Sequence, residues 1–130
     1  MYLLDSDWII QVLVRQGIAQ QELRRLAGSP VYISIVSAGE IFERAFVHAN
    51  PVEHLSQFRL FLSSYRILGI TTAIMELFAE QRALLRRRGQ LIPDFDLLIA
   101  ATALQYDLTL LTFNRRHFER IPELRLYQPG

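Results

Sequence analysis

Short apolar runs alternate along this chain with longer stretches in which apolar side chains recur every third or fourth residue. Tyr2-Leu3-Leu4, Val31-Tyr32-Ile33-Ser34-Ile35, Arg66-Ile67-Leu68-Gly69-Ile70 and Leu108-Thr109-Leu110-Leu111-Thr112 read as strands. They are apolar rather than alternating, as in parallel sheets covered on both faces. Between them the spacing predicts helices. Trp8 to Val14 is one, with Ser6 or Asp7 at its start and a stop at Gly17 after Arg15-Gln16. Ile18 to Ala27 is a second, before a Gly28-Ser29-Pro30 loop. Ser37 and Glu40 fit a capping box for a helix over about 38–48, closed by Asn50-Pro51. Leu55, Phe58, Phe61 or Leu62, and Tyr65 place another amphipathic helix. Thr71 or Thr72 caps a long helix carrying Ile74, Leu77, Phe78, Leu84 and Leu85, which ends in Arg86-Arg87-Arg88-Gly89. Pro93 opens a helix in which Leu97 to Leu104 is apolar almost all round, and so buried. Asp107 turns the chain, and Arg125-Leu126-Tyr127 offers a fifth strand. This order predicts an α/β fold: a three-layer α/β/α sandwich around a mainly parallel sheet of four to five strands. With no repeat or linker, residues 1–130 form one domain.

Composition narrows the chemistry. At 51% hydrophobic and 21% charged, the chain can fill a core and is not a disordered tail. It has no Cys, which excludes disulfide scaffolds, zinc fingers, iron–sulfur sites and cysteine nucleophiles. All 14 basic residues are Arg, so Schiff-base and P-loop lysines are excluded too. The net charge of +1 supplies no strong basic field. Neither a secretory leader nor a membrane span is legible, so the expected location is the cytoplasm. A mean hydropathy of +0.17 is high for a small monomer, and a second copy is expected to cover part of the apolar surface as a homodimer.

In open parallel sheets, ligands bind outside the C-terminal ends of the strands. Asp5 and Asp7 follow the first strand, and Glu40 lies in the first turn of the helix after the second. Asp94 and Asp96 begin the buried helix, while Thr112 and Asn114 follow the fourth strand. Clustered carboxylates repel unless a cation lies between them. Oxygen donors with no Cys and no His among them select Mg²⁺ or Mn²⁺ over Zn²⁺. Such a site suits metal-assisted phosphodiester hydrolysis. Each acid also has a purely structural reading. Asp5 or Asp7 caps the first helix, Glu40 completes the capping box, Asp94 is an N-cap, and Asp96 complements a helix dipole. The His residues do not cluster in sequence: His48 and His54 fall on or between surface helices, and His117 in the last loop.

Four segments, in order, carry a family resemblance. Tyr2-Leu3-Leu4-Asp5-Ser6-Asp7 resembles the L-L-D-[TS]-[ND] opening of PIN-domain proteins, in particular VapC-type toxins. Ile33 to Ile41 is similar to their I-S-x-[IV]-[ST]-x-x-E-[IL] segment, and Asp96 to Ala103 to their D-x-L-I-A-A-x-A helix. Leu110 to Phe118 resembles their L-[VL]-T-x-[ND]-x-x-x-F ending. The resemblance implies a PIN-like fold and a Mg²⁺- or Mn²⁺-dependent endoribonuclease, the toxin of a toxin–antitoxin pair. It further implies an RNA substrate and a small antitoxin partner. Carried over by position, Asp5, Glu40, Asp96 and Asn114 form the catalytic set. Asp5 and Asp96 would touch the metal, and Glu40 would ligate it or orient a water. Asp7 and Asp94 are auxiliary, and Thr112 would place its hydroxyl on a metal-bound water. Where the family often has Asp, this chain has Asn114, an amide without charge.

Arg115 and Arg116 are the candidates for RNA backbone contacts, being next to Asn114. Arg86 to Arg88 are further candidates, although basic residues belong at a helix C-terminus anyway. Trp8 and Phe95 flank acids and could stack on a base, with core packing the competing reading for both. A nuclease acting on DNA, and a PIN-like module that binds RNA or a partner without cutting, stay open as alternatives.

Overall fold

The computed structural model describes residues 1–14 and 17–130. Strands β1 (Tyr2–Leu4), β2 (Val31–Ser34), β3 (Arg66–Leu68) and β4 (Thr109–Leu111) form one parallel sheet in the order β3-β2-β1-β4. Helices α1 (Ser6–Leu13) and α2 (Gly17–Arg25) lie between β1 and β2, and α3 (Ile35–Phe46) and α4 (Pro51–Leu62) between β2 and β3. Helices α5 (Thr72–Arg87) and α6 (Asp94–Tyr106) lead to β4, and α7 (Arg115–Phe118) follows it.

Successive strand residues point to opposite faces. Leu4, Ile33 and Leu111 therefore share one core with Trp8, Ile41 and Phe58 from the first four helices. Leu3 and Leu110 share the other with Leu85, Leu97, Ile99 and Phe118 from the last three. These are the three layers expected. From β1 the chain moves outward through β2 and β3, then returns past β1 to β4. Right-handed crossovers running in opposite directions place their helices on opposite faces. The strand order reverses between β1 and β4, which opens a crevice at their C-terminal ends.

The local differences from expectation have physical causes. Strand β2 stops at Ser34, whose hydroxyl accepts from the Val36 N–H at 3.1 Å and caps α3. Ile35 is already helical, so the Ser37–Glu40 capping box does not form, and Glu40 lies one turn further into the helix than expected. Asp5 caps α1, as its structural reading has it, and Ser6 and Asp7 do not. Gly17 opens α2 instead of closing α1, and the polar continuation of α1 expected at Arg15-Gln16 lies outside the described residues. Pro93 is the N-cap of α6, which displaces Asp94 from that role. Residues 125–127 make a single parallel bridge, Leu110 to Leu126, instead of a fifth strand. Pro129, just beyond, has no N–H with which to extend a ladder. Helix α6 is buried as expected and ends at Asp107, with φ +55°. Among the described residues no helix is long and apolar enough to cross a membrane.

Thr71 caps α5, accepting from the Ile74 N–H at 3.2 Å. Thr71→Ala is expected to cost about 1 kcal/mol in urea unfolding, the usual loss for an N-cap hydroxyl. An unchanged midpoint would contradict that role.

Candidate active site

The crevice between β1 and β4 is stitched together by the first residues after each strand. The Asp5 N–H donates to the Leu111 carbonyl at 3.0 Å. Asp5 Oδ1 accepts from the Ser6 N–H at 2.8 Å, and Oδ2 accepts from Thr112 Oγ1 at 2.7 Å. Thr112 Oγ1 also lies 3.3 Å from Asp7 Oδ2, and that oxygen accepts the Phe113 N–H at 3.0 Å. A threonine hydroxyl has one proton. Both of its candidate acceptors are carboxylates of the protein, so it ties Asp5 and Asp7 together.

Asp96 occupies the third position of α6, with its side chain 15% exposed. Its Oδ2 lies 2.7 Å from Nδ1 of His117, and the Asn114 amide lies 2.8 Å from the same nitrogen. One ring nitrogen cannot both donate to Asp96 and accept from an amide N–H. The ring tautomer and the amide orientation together set which of these contacts donates. His117 therefore belongs to the acid edge, against the expectation that no histidine would. The local clue was its spacing of three from Asn114, which puts both on one face of a helical turn.

Glu40 projects from the second turn of α3. Its carboxyl is raised above the ordinary range by burial, with the charges of Asp96 and Asp7 adding to it and the Ser6 hydroxyl opposing. Asp5 is only 3% exposed, and its carboxyl is pushed up to about 7 by burial and then by the charge of Asp7. Asp7 is raised as well, mainly by burial, against the N–H groups of Phe113 and Trp8. Asp5, Asp7 and Glu40 thus all lie in the field of Asp96. Two buried oxygens here, Asp7 Oδ1 and Glu40 Oε1, have no hydrogen-bond partner among the described residues. Among the described residues no three acid or histidine side chains already converge on one point. The donors fit a hard divalent cation that keeps several waters and takes few protein ligands.

The remaining candidates lie elsewhere or are otherwise engaged. Arg82 holds Asp94 at 3.0 Å on the surface. Arg115 bonds Glu119 at 3.3 Å and the Tyr127 carbonyl at 3.2 Å, with its side chain 39% exposed. Arg116 is exposed, with no ion pair among the described residues. Arg86 to Arg88 end α5, as the dipole reading has it. Trp8 is buried in the core, whereas Phe95 is 57% exposed, contrary to its core reading. His48 and His54 do meet, with ring centroids 3.6 Å apart, in a separate cleft with Arg44 and Gln57.

A parallel sheet with carboxylates gathered at its switch point defines the class of fold to which the chain belongs. The sequence matches the PIN domain over residues 2–124, and the protein belongs to the PIN-domain family, in its VapC-type branch. It is 35% identical to "Ribonuclease VapC2" of Rickettsia felis over 128 residues, covering 97% of this chain and 96% of the relative. It is 28% identical to the "tRNA(fMet)-specific endonuclease VapC" of Shigella flexneri over 124 residues, 95% of this chain and 94% of the other. Among solved structures, VapBC2 from Rickettsia felis bound to a promoter DNA fragment superposes with a TM-score of 0.90 at 26% identity. That match covers 97% of this chain and 96% of the other.

Proposed function

We propose that the protein is an endoribonuclease toxin that hydrolyses RNA phosphodiester bonds with Mg²⁺ or Mn²⁺ held by Asp5, Asp96 and Glu40. The observation that carries the metal is the pair of orphaned, buried carboxylate oxygens on Asp7 and Glu40, among acids raised by burial and by one another. The names of the VapC relatives support ribonuclease chemistry. A bound divalent cation would lower the pKa of a water and offset charge on the phosphate. The chain's own residues hold the acids for it. Thr112 bridges Asp5 and Asp7, His117 orients Asp96, and Asn114 fixes the His117 ring. Arg116, exposed beside them, suits a phosphate contact.

In this reading a small antitoxin restrains the enzyme in the cytoplasm, and a second copy completes a dimer. Exposed Val14, Ile18, Phe46, Val47, Val52 and Leu60 supply apolar surface for such partners.

The test is cleavage of a mixed tRNA and ribosomal RNA pool in Mg²⁺, Mn²⁺ or EDTA. Asp96→Asn is expected to lower metal-dependent cleavage by roughly 10–100-fold with the fold retained, since the amide keeps one oxygen and loses the charge. Full activity in the folded variant would remove Asp96 from the site. RNA binding without cleavage by the wild type, with either metal, would make the protein a binding module.

A further inference from the structure

Phe113 presents a flat aromatic face beside the acids. Its ring lies parallel on Trp8, with centroids 4.3 Å apart and planes 5° from parallel. Trp8 beneath it is buried, while Phe113 is 43% exposed. Both rings are held in place. The Trp8 indole N–H donates to the Ala19 carbonyl at 3.2 Å, and the Phe113 backbone N–H donates to Asp7 at 3.0 Å. The ring is therefore ordered before anything binds, and its position is set by one of the acids.

Phe113 also lines an open cavity of about 340 Å³ with Asp7, Gln11, Gly17 and Ile18. That volume lies at the small end of ligand sites, which run from roughly 300 to 1,000 Å³. Ile18 gives an apolar wall, and Gln11 offers an amide with both donors and an acceptor. Unpaired RNA bases are recognised in this way, by stacking on an aromatic ring and hydrogen bonding at the base edge.

We infer that Phe113 and this cavity hold one unpaired base of the RNA, next to the phosphodiester bond at the acids, with Gln11 reading its edge. The inference rests on the ribonuclease reading above and names how that site chooses its substrate. A flat, prearranged ring beside a carboxylate and an amide, over a space this small, suits a single base better than a protein helix. Phe113 acts on substrate binding and sequence preference, and the acids on the chemical step.

The experiment compares wild type with Phe113→Ala, Phe113→Leu and Phe113→Tyr. Each is run on a single-stranded RNA library varied around the cut, with Mn²⁺. Binding of the same RNA is measured in EDTA by fluorescence anisotropy. Phe113→Leu keeps Trp8 covered without a π face, so a folding defect in Phe113→Ala does not decide the result. Tyr106→Ala, an exposed ring lost from the C-terminal end of α6, is the control. The expected result is a KM raised about tenfold in the Ala and Leu variants. Their kcat stays within about threefold, base preference flattens at one position, and Phe113→Tyr restores both. Unchanged KM and base profile in variants that still cut would overturn the inference and leave the ring to a protein contact. A wild type that cuts no RNA would overturn the ribonuclease reading instead. Binding in EDTA then decides the base site alone: weakening in the Ala and Leu variants supports it, and equal binding overturns it.

Discussion

Asp5→Asn is expected to make the metal-free protein more stable at pH 8 while reducing RNA cleavage by more than about 100-fold. The two effects have one origin. Asp5 is buried against Asp7, so its ionised form is disfavoured by desolvation and by like charge. An amide at position 5 removes both terms. Its oxygen still accepts the Ser6 N–H, and its NH₂ donates to Thr112, which then gives its proton to Asp7. Asn also caps helices about as well as Asp, so α1 keeps its start. If Asp5 were only a cap, cleavage would survive the change. The checks are a melting curve in EDTA and a cleavage assay on the same preparation. A destabilised variant, or an active one, would contradict the assignment.

The same carboxyl sets the pH dependence of the fold. In the folded chain Asp5 is raised from 3.8 to about 7. Between those values the folded protein keeps a proton that the unfolded chain has released. Its contribution is fully present below about 4 and is lost as pH rises through about 7. Asp7 and Glu40, both raised, act in the same direction. Metal-free protein should therefore lose on the order of a few kcal/mol between pH 5 and pH 8. That corresponds to a fall in Tm of roughly 5–15 °C. A divalent cation needs the ionised acids, so Mn²⁺ should stabilise strongly at pH 8 and little at pH 5. Melting curves across pH, with EDTA and with Mn²⁺, test this. A metal-free Tm that rises with pH, or a metal effect larger at pH 5, would contradict it.

The strands were legible because both of their faces are apolar, and their order placed Asp5 and Thr112 at one edge. The start of α3 was not legible, since Ser34 and Ser37 both offer a capping hydroxyl. The sheet decides between them by pairing Ser34 with Leu68, which ends β2 there. Asp94 and Asp96 look alike in sequence, yet residues two apart on a helix point to nearly opposite sides. Only Asp96 reaches the acids, while Asp94 meets Arg82. The pairing of His117 with Asp96 spans 21 residues and depends on how α7 packs against α6. Arg115 and Arg116 are indistinguishable neighbours in sequence. The structure distinguishes them through the tail, which bonds Arg115 at the Tyr127 carbonyl and leaves Arg116 exposed.

The bond from the Asp5 N–H to Leu111 makes the acid edge a continuation of the β1–β4 ladder. Ladder hydrogen bonds in a buried central strand open only with the whole cooperative unit. Asp5 therefore has no cheap local melting by which it could be displaced, as a residue on a hinged catalytic loop would have. An inhibitor that acts at Asp5 is therefore expected to cover the carboxyl in place rather than to unfold the backbone that carries it.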